Sequence, residues 1–85
     1  MRKVLTPRPV DAENRDNLIA VRRDVRASLA DAIRSLGDIA PDRSHYAADA
    51  AFARDVAIHR ERVAFLTGLL HDVVVEADAL AAPRR

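Results

Sequence analysis

A run of eight apolar residues and one histidine at alternating spacings of four and three occupies the second half of the chain. Its nine positions are Phe52, Val56, His59, Val63, Leu66, Leu70, Val73, Ala77 and Leu80. An α-helix turns once every 3.6 residues or so, and this spacing therefore places all nine side chains, here called the seam, along one side of a helix. The period continues through Gly68, although glycine and the β-branched residues 73–75 disfavour helix. The pattern predicts one helix over about residues 44–81, with a kink at Thr67 and Gly68 as the alternative.

A shorter helix is predicted ahead of it, over about residues 11–36. Its apolar positions also advance in steps of three and four: Leu18, Val21, Val25, Leu29, Ala32 and Leu36. Gly37 is suited to the left-handed position that ends a helix, and Pro41 cannot continue one. We therefore expect a turn over residues 37–43 and an all-α helical hairpin. In this hairpin the longer second helix overhangs the first by two to three turns at its C-terminal end.

The N-terminal segment is predicted to be an extended arm over residues 1–10, because Pro7 and Pro9 fix φ and keep the residues before them out of the helical region. A single domain then covers residues 11–82. The segment lacks the apolar stretch of a secretory signal, and the chain lacks the roughly 18 consecutive apolar residues of a membrane span. We therefore expect a cytoplasmic protein without membrane contact.

The apolar surface of the second helix is too wide for one neighbouring helix. A second row of apolar residues, Ala51, Ile58, Phe65 and Leu69, runs beside the seam, and together they cover nearly half of the helix circumference. A chain of 85 residues rich in alanine also has a thin core for a single copy. Both observations favour a homodimer that forms a four-helix bundle, with the seam from Phe52 to Val73 at its core or dimer interface. A monomer whose arm covers the overhang is the alternative.

Charge is divided unevenly between the two predicted helices. Residues 1–36 carry eight basic and five acidic side chains, whereas residues 37–85 carry six and eight. Arg15, Arg22 and Arg26 form a stripe beside the apolar side of the first helix. In an antiparallel hairpin this stripe approaches the acidic end of the second helix, which contains Asp72, Glu76 and Asp78. The alternative is that the arginines contact the phosphates of a nucleic acid, which the net charge of +1 does not favour.

No arrangement of residues typical of an enzyme or a metal site is visible in the sequence. His45 and Asp49 share a helix side but supply only two ligands, so we predict no catalytic residue, metal or cofactor. The expected function is that of a small non-enzymatic protein–protein interaction module, an adaptor, regulator or inhibitor, acting as a helical dimer on an unidentified protein partner. The candidate partner-binding residues are Arg15, Arg22, Arg26, Ile58, Phe65 and Leu69.

One stretch of the chain resembles a known family of small helical enzymes. Leu18-Ile19-Ala20-Val21-Arg22, followed by Arg54-Asp55 and Arg60-Glu61, resembles the all-helical chorismate mutases. The resemblance implies a dimer that places arginines around a dicarboxylate substrate. The chain departs from the family in its longer spacing from Asp to Arg-Glu, in having no lysine in the first connection, and in a tail too short for a third helix. A small helical enzyme is therefore the third candidate.

Overall fold

The computed structural model describes residues 12–83, which form two helices joined by a long connection. Helix α1 spans Ala12–Leu36 and helix α2 spans Asp49–Ala81. Two short 3-10 turns, Gly37–Ile39 and Arg43–His45, lie in the connection. The helices pack against each other, and residues 12–83 contain no strand. The predicted all-α helical hairpin is confirmed, while the predicted arm over residues 1–10 lies outside the described part.

Helix α2 is continuous through Gly68, as its apolar period predicts. A Cβ added at Gly68 would meet no atom within 4 Å, so the site does not require glycine for a close approach. Gly37 departs from its expected role. It has no positive φ but continues the chain into a 3-10 turn, in which the Ala40 amide donates a hydrogen bond to the Gly37 carbonyl at 3.3 Å. The first helix therefore ends at Leu36 without the left-handed glycine that the sequence predicts.

The second helix begins at Asp49, five residues later than predicted. The polar residues before it form their own structure, because the Asp42 carboxylate accepts a hydrogen bond from the Ser44 amide at 3.0 Å and starts a 3-10 turn. The backbone is then extended at Tyr46 and Ala48. A capping sequence is therefore present, but it caps the short turn rather than α2. The predicted turn over 37–43 is in fact a connection that extends to residue 48.

An ion pair between the two helices shows the register of the hairpin. Arg22 Nε donates to Glu76 Oε1 at 3.0 Å. Because antiparallel helices advance by the same rise per residue, Leu36 at the end of α1 is level with about residue 62 of α2. Residues 49–61 of α2 therefore extend beyond α1. The predicted overhang at the C-terminal end is wrong, and Leu80 at that end is only 5% exposed.

The overhang moves to the other end because the connection lies along the first turns of α2. Tyr46 packs edge-to-face on Phe52, with ring centroids 5.4 Å apart, and its hydroxyl donates to Asp55 Oδ2 at 2.7 Å. Arg43 forms an ion pair with Asp49. With a tight turn, α1 itself would lie beside this end of α2, and here the connection takes that place.

The packing side of α1 is rotated from the predicted one. Val21 and Val25 are exposed, at 58% and 40%, although both were placed on the predicted apolar side. Ile19 is buried instead, and Arg15 and Arg22 are partly buried beside it. Arginine can bury its long aliphatic stem, and Glu76 neutralises the Arg22 guanidinium, so a side that contains arginines is the one that packs. The seam of α2 behaves as expected, since all nine residues are buried or half-buried.

The hairpin is a single layer of helices with a shallow core. Its extents are 60 × 21 × 16 Å, and the smallest of these is little more than the thickness of one helix. Among residues 12–83, Ile19 and Leu80 are the buried hydrophobic residues, and no side chain is completely buried. In the same range, neither helix is long and apolar enough to cross a membrane. The four-helix bundle remains a prediction.

Candidate functional site

A shallow groove between the helices marks one broad side of the layer. It has a volume of about 140 Å³, with Arg23 and Arg26 of α1 on one wall and Val74 and Asp78 of α2 on the other. We call this the charged side. Successive helix residues are about 100° apart around the axis. Residues that are two or nine positions apart therefore point in nearly opposite directions. The residues on the second broad side can be identified by their spacing from these four residues of the groove walls.

The opposite side of α1 carries two exposed valines. Val21 and Val25 each lie two residues from Arg23, and both therefore point away from the charged side. Neither is covered by α2. An exposed β-branched apolar residue contributes little to the stability of a surface helix, and two of them one turn apart form a small hydrophobic patch.

The same side of α2 carries a row of larger apolar residues. Phe65 lies nine residues from Val74, so it also points away from the charged side, and it is 56% exposed. Ile58 and Leu69 share its side at spacings of seven and four residues; Ile58 is exposed and Leu69 is half-buried. We call this the apolar side of the hairpin. Its exposed members are four of the six large apolar residues exposed in the described part: Val21, Val25, Ile58 and Phe65.

Arg22, by contrast, is engaged inside the hairpin. Its Nε donates to Glu76, and its Nη1 donates to the Leu18 carbonyl at 3.1 Å. The Arg22 and Glu76 side chains are only 14% and 9% exposed. The expected pairing of the first helix with the acidic end of the second is confirmed for this pair. The sequence places Arg22 beside the predicted apolar surface of the first helix. This position is wrong, because Arg22 lies on the side of α1 that packs against α2.

The other two arginines of the predicted stripe lie in different surroundings. The Nε atom of Arg15 is buried and has no hydrogen-bond partner among residues 12–83. Arg26 is exposed on the charged side. The three arginines therefore do not form one exposed surface, which is what contact with successive phosphates of a nucleic acid would require.

The connection and α2 enclose a second groove, of about 190 Å³, at the N-terminal half of α2. Ile39, Pro41 and Tyr46 line it from the connection. On α2 it is lined by Asp55, Ile58, His59 and Arg62. The Arg43 guanidinium lies 5.9 Å from the centre of the Phe52 ring, close enough for a cation–π contact that holds the connection in place. The groove adjoins the apolar side through Ile58.

Two pKa values are shifted at the hydrogen bond between Tyr46 and Asp55. The pKa of Asp55 is held below its usual range, chiefly because the Tyr46 hydroxyl donates a hydrogen bond to the carboxylate. The same bond raises the pKa of Tyr46. A carboxyl with a lowered pKa in the folded state contributes stability above its unfolded pKa of about 3.9, and this stability is lost as the pH falls through the folded value.

Substituting Tyr46→Phe will therefore raise the pKa of Asp55 towards its usual value and remove this acid-sensitive contribution to stability. The ring contact with Phe52 is retained, because only the hydroxyl is lost. An NMR titration of the Asp55 carboxyl measures the shift. Arg54→Gln is the control, because the Arg54 guanidinium donates a longer bond to Asp55, at 3.3 Å, and should raise the pKa less. An unchanged Asp55 pKa in the Tyr46→Phe variant would contradict the assignment.

The histidines and the residues of the enzyme resemblance are dispersed. His45 lies in the connection, and His59 is half-buried in the seam. No three His, Asp or Glu side chains within the described range are grouped to hold a metal ion. Arg22 is level with Glu76, which is 22 residues and about 33 Å along α2 from Arg54. Within one chain, these arginines do not surround a common substrate position.

Comparison with known proteins adds no further assignment, because no family model, curated protein or solved structure matches the chain. The candidate site therefore rests on the geometry above. Of the predicted partner-binding residues, Ile58, Phe65 and Leu69 share the apolar side. Sequence reasoning missed Val21 and Val25 as members of this side, since it assigned both to the core. Their only sequence signal is that a second set of positions on α1, containing Ile19, also follows the helical period.

Proposed function

We propose that this chain is a small non-enzymatic protein–protein interaction module, an adaptor, regulator or inhibitor, that works as a helical dimer. The observation that carries the proposal is the apolar side, on which Val21, Val25, Ile58 and Phe65 are exposed together. Exposed apolar patches shared by two elements of a small protein mark surfaces that bind another protein. The apolar side spans both helices, so a partner that is itself a layer of helices can pack on it.

The thin core supports the dimer as the working form. A stable domain normally consists of two packed layers around one hydrophobic core, and this hairpin has one layer, with Ile19 and Leu80 as its buried apolar residues. Small chains without disulfides commonly complete their core by association, and this chain has no cysteine. A second layer on the apolar side would form the four-helix bundle.

The charged side is the surface that such a dimer leaves open to an outside partner. It combines Arg23 and Arg26 with Asp78 around the half-buried Val74. A mixed polar rim around an apolar centre is typical of interfaces between proteins that also exist apart. Adaptors and inhibitors of this kind bind through a surface patch, so no enclosed cavity is needed.

Sedimentation or light scattering of the chain at about 10 μM tests the proposal, with an expected mass of twice 9.4 kDa. Phe65→Glu should convert the dimer to a helical monomer, because a charge is tolerated on an exposed surface but not in a buried interface. Thr67→Glu adds the same charge on the opposite side of α2 and should leave the dimer intact. A monomeric wild-type chain, or loss of helicity in Phe65→Glu, would contradict the proposal.

A further inference from the structure

A row of four residues on the apolar side of α2 has oppositely charged ends and an apolar middle. These residues, here called the stripe, are Arg62, Phe65, Leu69 and Asp72. Their spacings of three, four and three keep them on one side of the helix over about 15 Å. Ion pairs in the described part join Arg22 to Glu76, Arg34 to Asp31, Arg43 to Asp49 and Arg54 to Asp55. Arg62 and Asp72 take part in none of these pairs, although the charge of Arg62 contributes to the lowered pKa of Asp55, which lines the same groove.

The stripe is arranged symmetrically about one point on α2. Arg62 and Asp72 each lie five residues from Thr67, and Phe65 and Leu69 each lie two residues from it. A two-fold axis perpendicular to α2 at the level of Thr67 therefore exchanges the basic end with the acidic end. It also exchanges the two apolar residues in the middle. A surface with this property is complementary to itself when a second copy runs antiparallel to the first.

We infer that the occupant of the apolar side is a second copy of this chain, with α2 packed antiparallel on α2 of the partner. Arg62 of each protomer then pairs with Asp72 of the other, and Phe65 packs on Leu69 of the other. The inference rests on the proposed function and adds the orientation and the contacts of its dimer. A parallel arrangement is disfavoured, because it would place like charges opposite each other at both ends of the stripe.

The size of the apolar side agrees with this occupant. The layer is 21 Å wide, and the register places α1 beside residues 62–81 of α2, about 30 Å, which gives a side of roughly 600 Å². Stable protein–protein interfaces bury about 600 to 1,000 Å² on each partner. A second copy seated about this axis would cover the stripe, and its α1 would end level with residue 26 of α1, next to Val25. It would also pair both charges of the stripe, whereas an unrelated helix would need to supply both opposite charges at the matching distance.

Charge reversal tests the antiparallel pairing. Arg62→Asp and Asp72→Arg should each raise the dimer dissociation constant about tenfold or more, because each places two like-charged pairs in the interface. An equimolar mixture of these two variants should dimerise again, since every pair in the mixed dimer is then of opposite charge. The double variant in one chain should also dimerise. Arg60→Asp is the control, since Arg60 is exposed and points away from Arg62.

The results separate this inference from the proposed dimer itself. If the wild-type chain and Arg60→Asp are dimeric but the mixture of single variants stays monomeric, the antiparallel pairing is wrong and the dimer stands. If both single variants dimerise as tightly as the wild type, the pairing is also wrong. A monomeric wild-type chain overturns both proposals.

Cross-linking provides a second test that does not depend on charge reversal and is available if those variants fail to fold. The chain has no cysteine, and therefore any disulfide must come from introduced residues. Arg62→Cys mixed with Asp72→Cys should form a disulfide-linked dimer on oxidation, because the two positions face each other across the axis. Either variant oxidised alone should link poorly. Equal linking in the mixture and in the separate variants would overturn the inference.

Discussion

Replacing Glu76 with leucine will destabilise the fold by about 3 kcal/mol or more, although the change substitutes an apolar residue at a site that is only 7% exposed. Glu76 neutralises Arg22, and both side chains are largely shielded from water. Without the carboxylate, the guanidinium stays between the helices as an uncompensated charge. Urea unfolding monitored by circular dichroism measures the loss. A protein of this size has a small total stability, so the single variant will be partly unfolded.

The double variant Arg22→Met with Glu76→Leu is the informative control. Removing both charges leaves two apolar side chains of suitable length between the helices, and the stability should return to that of the wild type or above it. The exposed pair of Arg34 and Asp31 has nearly the same distance, 3.1 Å, but side chains that are 78% and 70% exposed. Asp31→Leu should therefore change the stability by about 0.5 kcal/mol or less. A double variant as unstable as Glu76→Leu would show that the pair has another structural role.

The same experiment bears on nucleic-acid binding. If Arg22→Met left the stability unchanged and removed binding to RNA or DNA, the arginine would be a phosphate contact rather than a part of the hairpin. The geometry predicts the opposite result, because two hydrogen bonds inside the hairpin already engage the guanidinium. Arg23 and Arg26 are the arginines whose substitution should affect an outside partner.

The existence of both helices and the continuity of α2 were predictable from the sequence because their signal is periodic. The seam from Phe52 to Leu80 keeps one side for nine positions, and a local feature such as Gly68 did not outweigh it. The end of α1 at Leu36 was predictable for a similar reason, since Gly37 and Pro41 follow it. The start of α2 was not, because Asp42 and Ser44 make a capping bond that looks the same in sequence whether it begins a 3-10 turn or an α-helix.

The packing side of α1 could not be chosen from hydrophobicity alone. Two sides follow the helical period, one containing Val21 and Val25 and the other containing Ile19, Arg15 and Arg22. The second side packs because arginine can bury its aliphatic stem between the helices and Glu76 is level with Arg22, so that it neutralises the guanidinium. Which residues of the two helices are level with each other depends on the register, and the register is set by how the connection lies on α2. A contact such as that between Tyr46 in the connection and Asp55 in α2 has no periodic pattern in the sequence, so it could not be predicted from spacing.

The candidate site was therefore predictable only in part. Ile58, Phe65 and Leu69 were identified from the width of the apolar surface of α2, since their position beside the seam follows from helix geometry alone. Val21 and Val25 join them only once the register and the packing side of α1 are known. The division into an apolar and a charged side is a property of two helices together, and no pattern within one helix contains it.

A second large effect is expected at the C-terminal end of α2, where substituting Leu80→Ala will destabilise the fold by about 3 kcal/mol. Leu80 lies one residue from the end of α2, a position where helices fray and side chains are usually dispensable. Here it is 5% exposed, the smallest exposed fraction among the buried hydrophobic residues of the described part. The register places it level with residue 18 of α1, near the buried Ile19.

Thermal unfolding at one fixed protein concentration measures this effect, since dimerisation would otherwise shift Tm. A loss of about 3 kcal/mol lowers the Tm of a chain of this length by roughly 12 to 24 °C. Val75→Ala is the control, because Val75 is exposed and five residues away on the same helix, and its Tm should change little. If Leu80→Ala had the same Tm as Val75→Ala, the end of α2 would be uncovered in solution. The hairpin would then have the C-terminal overhang that the sequence predicts, and Arg22 could not reach Glu76.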